Sequence, residues 1–208
     1  LSGPDGDMAL AVSDMDIYDH ITPVWLRSRR SLLQNAQLVV VDANIPEESI
    51  RCLADHVTPP IFADPVSTAK ADKLRPVLGR LHTLKPNRIE AELLSGVEIR
   101  DEASLDRAAG ALLETGLRRV FLSLGGDGVL AADHSGRARL PCLPGNKVNT
   151  TGCGDAFMAA LAWAYLEGTG LEETARAGSA AAAIAMESAE TINDGMSAQA
   201  LRERMYSR

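Results

Sequence analysis

Short unbroken apolar runs constrain this chain more than any other feature. Leu38-Val39-Val40-Val41, Pro60-Ile61-Phe62-Ala63 and Val120-Phe121-Leu122-Ser123-Leu124 show no polar alternation. Each reads as a strand buried on both faces. His82-Thr83-Leu84 is a shorter strand, ended by Lys85-Pro86. Between the strands lie helical patterns. Pro46 opens one that carries Ile50, Leu53 and Ala54. Ala69 to Leu81 is a second, kinked or divided at Pro76. Asn87 to Leu94 is a third, stopped by Gly96, and Ser104 to Thr115 a fourth. Apolar strands separated by helices of about 10–15 residues predict an α/β fold with a parallel sheet covered on both faces. Gly125-Gly126-Asp127-Gly128 leaves no room for a helix before Val129-Leu130-Ala131-Ala132. That spacing predicts an antiparallel hairpin at one edge of the sheet. The tail turns helical over Asp155–Leu166, Leu171–Glu187 and Ala198–Met205. No linker or repeat divides the 208 residues, which read as one domain.

Charge and cysteine usage narrow the partners. The net charge of −7 makes a poor non-specific binder of nucleic acid or membrane surfaces. The tightest basic cluster, Arg27, Arg29 and Arg30, reads as the solvated face of a helix. No apolar stretch approaches the ~18 residues that span a bilayer. Cys52, Cys142 and Cys153 are far apart and form no CxxC pair, so zinc and thioredoxin-type chemistry have no support. Their sparseness points to a reducing compartment: the cytoplasm or, in a eukaryote, an organelle. His20, His56, His82 and His134 match no ligand spacing. The opening, with Gly3 and Gly6, has no initiator Met and no signal-peptide pattern, so it reads as trimmed or as a piece of something longer.

In a parallel sheet, ligands bind past the carboxyl ends of the strands. Those positions hold Asp42-Ala43-Asn44, Asp64-Pro65, Lys85-Pro86-Asn87 and Gly125-Gly126-Asp127. The most informative stretch lies later, at Asn149-Thr150-Thr151-Gly152-Cys153-Gly154-Asp155, running into the apolar helix Ala156 to Ala162. Two glycines flanking one small residue let backbone approach a ligand closely. The following helix aims its unpaired N–H groups at that loop, where an anion is favoured. N-capping alone would explain Asp155 but not the glycines. A carboxylate beside an anion site suits phosphoryl transfer: it can accept a hydroxyl proton while dipoles hold the developing charge.

The same stretch resembles the C-terminal signature of the PfkB, ribokinase-like carbohydrate kinases. The resemblance implies a three-layer αβα fold with a mostly parallel central sheet. It implies Asp155 as the catalytic base and Gly152, Cys153 and Gly154 as an anion hole. Asn87-Arg88-Ile89-Glu90 resembles the Asn-x-x-Glu element that organises magnesium and phosphate, while also having the form of a capping box. Ser123-Leu124-Gly125-Gly126-Asp127-Gly128-Val129 resembles the nucleotide-binding strand and turn. Ser179 to Ser188 with Thr191-Ile192-Asn193-Asp194 resembles the wall of the adenine pocket. Lys85, Asn87, Glu90, Ser123, Gly125, Gly126, Gly128, Thr151 and Asn193 are thereby expected to bind the cofactor, ATP with Mg2+, and Glu90 the metal. Two positions depart from the pattern. Asn149 stands where the family has an Asp that helps bind a monovalent cation, which weakens the implication of K+. Cys153 replaces Ala, and a thiol at a helix N-terminus is expected to have a lowered pKa and to be open to alkylation.

Asp64-Pro65-Val66-Ser67, His82-Thr83-Leu84-Lys85-Pro86-Asn87-Arg88 and Ser13-Asp14-Met15 are most similar to the pseudouridine kinase branch of the family. That implies phosphorylation of the pseudouridine 5′-hydroxyl. Fusion behind a pseudouridine-5′-phosphate glycosidase, known in the branch, is compatible with the abrupt start at Leu1. The resemblance spans the C-terminal two-thirds of a whole enzyme, so the N-terminal strands and substrate lid are expected to be missing and turnover to be poor. Two other classes compete: another sugar kinase of the family, and a truncated, non-catalytic nucleotide-binding module. A nicotinamide-dependent Rossmann enzyme is disfavoured, because no GxGxxG follows the first strand.

Overall fold

Strands β1 (Val39–Asp42), β2 (Ile61–Asp64), β3 (Thr83–Leu84) and β4 (Arg119–Ser123) pair in sequence, every pair parallel. A computed structural model of the chain describes residues 14–207. The readings on Leu1, Gly3, Gly6 and Ser13 lie outside those residues. With β5 (Val129–Asp133) and β6 (Gly136–Leu140), the sheet has six strands among the described residues, in the order β1-β2-β3-β4-β5-β6. The fold is a three-layer α/β fold with a mostly parallel sheet. One expectation needs correcting. The Gly125–Asp127 turn is a single 3-10 turn, and β5 is not the edge strand, because β6 lies beyond it. β6 reads Gly-Arg-Ala-Arg-Leu, too polar and short to register as an apolar run.

The first α-helices among the described residues are α1 (Pro23–Ser28) and α2 (Arg30–Gln34), two short helices where the sequence reading expected the one that carries the basic cluster. Arg27 and Arg30 on them and Arg29 in the turn between are exposed, as expected, and Arg29 lies over the Trp25 ring at 5.4 Å. Helix α3 (Glu47–His56) starts behind Pro46, with Glu47 and Glu48 favourably placed in its first turn. The expected helix over 69–81 is divided. Only α4 (Thr68–Ala71) is α-helical, and Asp72–Arg80 is a 3-10 helix. Pro76 supplies the reason: its ring clashes with the carbonyl four residues back, at Asp72, where the winding changes. Helix α5 (Arg88–Ser95) ends at Gly96 in the left-handed conformation, φ 72°. Helix α6 (Glu102–Glu114) begins with an Asp101/Ser104 capping box. The tail holds α7 (Cys153–Leu166), α8 (Leu171–Met186) and α9 (Ala198–Tyr206).

The described residues fall into two compact units. One comprises residues 14–124 and 130–137, the other residues 125–129 and 138–207. The first is built on aliphatic side chains from the sheet and its helices. Leu74, Leu84, Leu112, Leu117, Val120 and Leu122 are completely buried there. Each such side chain contributes roughly 1.5–3 kcal/mol when removed from water. The second unit is built on small residues. Ala160, Ala164, Ala177, Ala180 and Ala181 bring α7 against α8, and Leu201 and Met205 of α9 close the cluster. Gly178 continues the pattern, since a Cβ there would lie 2.5 Å from the Phe157 ring.

His82 links the first unit's stability to pH. Its ring stacks on Phe62 with centroids 5.4 Å apart. Burial first, then Arg119 and Arg118, lower its pKa from 6.5 to about 4. As pH falls through 6.5, the unfolded chain takes up this proton and the folded chain does not. Stability is therefore lost progressively between pH 6.5 and about 4. Thermal melts of a His82→Phe chain are expected to show a flatter pH dependence across that window. An unchanged slope would overturn the assignment.

Candidate functional site

The second unit holds the glycine loop in place with its own polar groups. Asn149 Oδ1 accepts the Thr151 N–H at 3.0 Å, and its Nδ2 donates to the Ala189 carbonyl at 3.1 Å. The N–H groups of Val148 and Asn149 both donate to the Met186 carbonyl, at 2.9 and 3.2 Å. Gly152 caps α7 with φ 86°. A Cβ at Gly152 would sit 2.3 Å from the Thr191 carbonyl oxygen. Backbone conformation and close approach thus each require glycine. Helix α7 runs from that point for 14 residues, with Asp155 in its first turn. Amides in a first turn lack a carbonyl four residues back, and the helix end carries partial positive charge. Gly154 and Asp155 are exposed there. Of the three amides expected in the anion hole, that of Cys153 donates to the Thr150 carbonyl at 3.2 Å. The exposed first turn of α7 thus holds the Gly154 backbone next to the Asp155 carboxyl.

Cys153 corrects an expectation. Its thiol pKa is raised, not lowered: burial contributes most, followed by Cys142, against its own backbone N–H. The sulfur lies 4.0 Å from the Asn149 carbonyl. Desolvation outweighs the helix terminus at this half-buried side chain, so a readily alkylated thiolate is not expected.

The first unit carries a separate polar group at the ends of β2 and β3. Lys85 Nζ pairs with Asp64 Oδ2 at 2.9 Å, with the side chains only 8% and 14% exposed. Parallel register sets them side by side, since Ala63 aligns with Leu84. Glu90 is buried and closes a capping box with Asn87. Its Oε2 accepts the Asn87 N–H at 2.8 Å, and its own N–H donates to Asn87 Oδ1 at 2.9 Å. Burial pushes the Glu90 carboxyl up, Asn87 pulls it down, Asp64 pushes it up and Lys85 pulls it down, with a net rise. Ser123 joins this group because its N–H donates to the Pro86 carbonyl at 2.9 Å and it bridges to Asn87 beyond the strand ends.

Two features here were not anticipated. Val66 has φ 67°, an unfavourable value for a β-branched residue. The Ser67 N–H donates to the Pro65 carbonyl at 2.7 Å, and Asp64 Oδ1 accepts the Val66 N–H at 2.9 Å. Such strain costs about 1–3 kcal/mol and persists only where surroundings enforce it. At the end of β1, Asn44 Nδ2 donates to Asp42 Oδ2 at 2.8 Å, and Lys70 donates to Asn44 Oδ1. Location past the strand ends was readable in the sequence. Which side chains would pair across strands was not.

The remaining expected residues sit in the second unit. Gly125 and Gly126 form the exposed 3-10 turn. Gly128 is pressed against backbone, since a Cβ there would lie 2.1 Å from the Leu140 carbonyl oxygen. Asn193 is engaged within its own loop. Its Nδ2 donates to the Ile184 carbonyl at 2.6 Å and its Oδ1 accepts the Gly195 N–H at 2.8 Å.

Comparison with known proteins adds a family to this geometry. The family model described as pfkB family carbohydrate kinase matches residues 10–198. The chain is 38% identical to the pseudouridine kinase of Escherichia coli over 194 residues, covering 92% of this chain and 62% of that protein. It is 34% identical to an uncharacterized sugar kinase of the same organism, YeiI, over 202 residues, covering 95% and 55%. A crystal structure of a putative sugar kinase from Clostridium perfringens superposes with a TM-score of 0.85 at 29% identity, covering 96% of this chain and 64% of that one. The chain thus spans less than two-thirds of the length of each of these proteins.

Two substitutions test the geometry. A raised carboxyl pKa means that Glu90 costs stability once pH rises through its folded value. Glu90→Gln is therefore expected to melt above the wild type at pH 8, with the gap closing below about pH 4, the ordinary carboxylate range. A Glu90→Gln chain no more stable at pH 8 would contradict this. Gly152→Ala meets a left-handed backbone and the Thr191 carbonyl together. The conformation alone costs about 1–2 kcal/mol, or several degrees of Tm for a chain of about this size. Faster amide exchange over residues 149–155 is expected with it, and an unchanged Tm would count against the close approach.

Proposed function

We propose a kinase reaction for this chain, which belongs to the pfkB family of carbohydrate kinases. The reaction is transfer of the γ-phosphoryl group of ATP to the 5′-hydroxyl of pseudouridine, and the chain acts as its nucleotide-binding and catalytic part. One observation carries the reading: a left-handed Gly152 held against the Thr191 carbonyl, with α7 running from it and Asp155 in the first turn. Similarity to pseudouridine kinase over 92% of the chain supports the substrate.

Each residue has a role that its environment suits. The Asp155 carboxylate accepts the proton of the attacking hydroxyl. The Gly154 amide and the N-terminal end of α7 hold charge that develops on the transferred phosphate. Lys85, fixed by Asp64 at 2.9 Å, offers a positive charge to the nucleotide phosphates. Glu90 would hold a hydrated Mg2+ through one of its waters. When bound, Mg2+ neutralises phosphate charge. K+ is not required in this reading: the Asn149 amide donates to the Ala189 carbonyl at 3.1 Å, a bond that an aspartate there could not make. The free thiols of Cys52, Cys142 and Cys153 fit a reducing compartment.

A second reading, phosphorylation of a simple sugar, draws on the 34% identity to a sugar kinase. One assay separates the two. The chain is incubated with MgATP and pseudouridine, uridine or ribose, and the products are read by mass spectrometry. Slow formation of pseudouridine 5′-phosphate is expected, reduced about 100-fold or more in Asp155→Asn, the lower range for loss of a general base. Turnover from ribose alone would favour the second reading. Product formation untouched by Asp155→Asn would remove Asp155 as the base.

A further inference from the structure

The last helix reaches the glycine loop through one side chain. Arg204 of α9 donates from Nη2 to Glu187 Oε2 at 2.7 Å and from Nη1 to Glu187 Oε1 at 3.0 Å. The same Nη1 also donates to the Pro144 carbonyl at 3.2 Å. Glu187 Oε1 accepts the Asn146 N–H at 3.4 Å. One guanidinium thus ties the end of α8 to the segment that leads into Asn149. The carbonyl of Met186, next to Glu187, holds the Val148 and Asn149 amides. The paired side chains are only 24% and 30% exposed, so water competes weakly for the contact.

The other polar contacts of α9 go elsewhere. Arg202 pairs with Glu167 at 2.8 Å and lies over the Trp163 ring at 5.2 Å. The Tyr206 hydroxyl donates to Glu173 at 2.7 Å. Those contacts dock α9 on α7 and α8, whereas Arg204 alone among them spans to the loop's approach. We propose that Arg204 and Glu187 are a positioning pair that holds the glycine loop in its anion-accepting geometry. The proposal rests on the kinase reading for its consequence, namely phosphate binding.

The test compares Arg204→Met, Glu187→Gln and their double variant with Arg202→Met, which removes a different ion pair from the same helix. Hydrogen exchange of residues 146–155 reports loop order, and calorimetric titration with MgATP reports binding. Arg204→Met and Glu187→Gln are each expected to speed exchange in the loop and to weaken MgATP by about tenfold, equivalent to about 1.4 kcal/mol. The double variant should cost less than the sum of the two single ones, because both remove the same ion pair while each also loses one contact of its own. Arg202→Met should lower Tm while leaving both readouts at wild-type values. Arg204→Lys, which keeps the charge without the two-pronged contact, should fall between. It and Glu187→Gln decide the matter if Arg204→Met does not fold. Equal behaviour of the Arg204 and Arg202 variants in loop exchange would overturn the proposal. A wild-type chain that does not bind MgATP would instead overturn the kinase reading, while loop exchange still judges the pair.

Discussion

Parallel pairing is the constraint on which the first unit depends. Because β1 to β4 run the same way, each strand ends on the same side of the sheet. The polar residues that terminate them therefore gather without any further device. Asp64 and Lys85 meet because β2 and β3 are neighbours in register, and Ser123 reaches Asn87 because the β3–β4 ladder continues one bridge beyond the strands. An antiparallel sheet of the same strands would scatter these groups to both ends.

The second unit obeys a different rule, close approach. Alanines let α7 and α8 touch, Gly178 admits the Phe157 ring, and Gly152 lets the loop pass the Thr191 carbonyl. Where no side chain intervenes, backbone amides become the surface that a ligand meets. Glycine loses more chain entropy on folding than any other residue, so such a loop needs bracing. Asn149, the Met186 carbonyl and the Arg204–Glu187 pair supply it.

Several groups at the strand ends of the first unit are costly to fold. Glu90 is a buried carboxyl with a raised pKa, Lys85 is nearly buried, and Val66 is held at positive φ. A core built for stability alone would hold aliphatic residues there. A charge kept out of water acts more strongly on whatever it faces.

Much of this was legible in the residues. The apolar runs gave β1, β2 and β4 within a residue or two, because a strand buried on both faces has no choice but to be apolar. The capping box at Asn87 and Glu90, the stop at Gly96 and the start of α7 followed from local hydrogen bonding. The bounds of α1 and α2, and strand β6 altogether, escaped, because their patterns are short or polar and only packing stabilises them. The change of winding at Asp72 was half legible: Pro76 announced a break, but its carbonyl clash fixed the position. The cysteine at the helix terminus misled, since composition says nothing about burial. What the sequence determined by itself is the local chemistry: a glycine loop before an apolar helix, a carboxylate in its first turn, and polar residues after each strand. What only the tertiary structure decided is which groups meet and how much water reaches them. Asp64 with Lys85, and Arg204 with Glu187, are joined across the chain by register and packing, which no local stretch encodes.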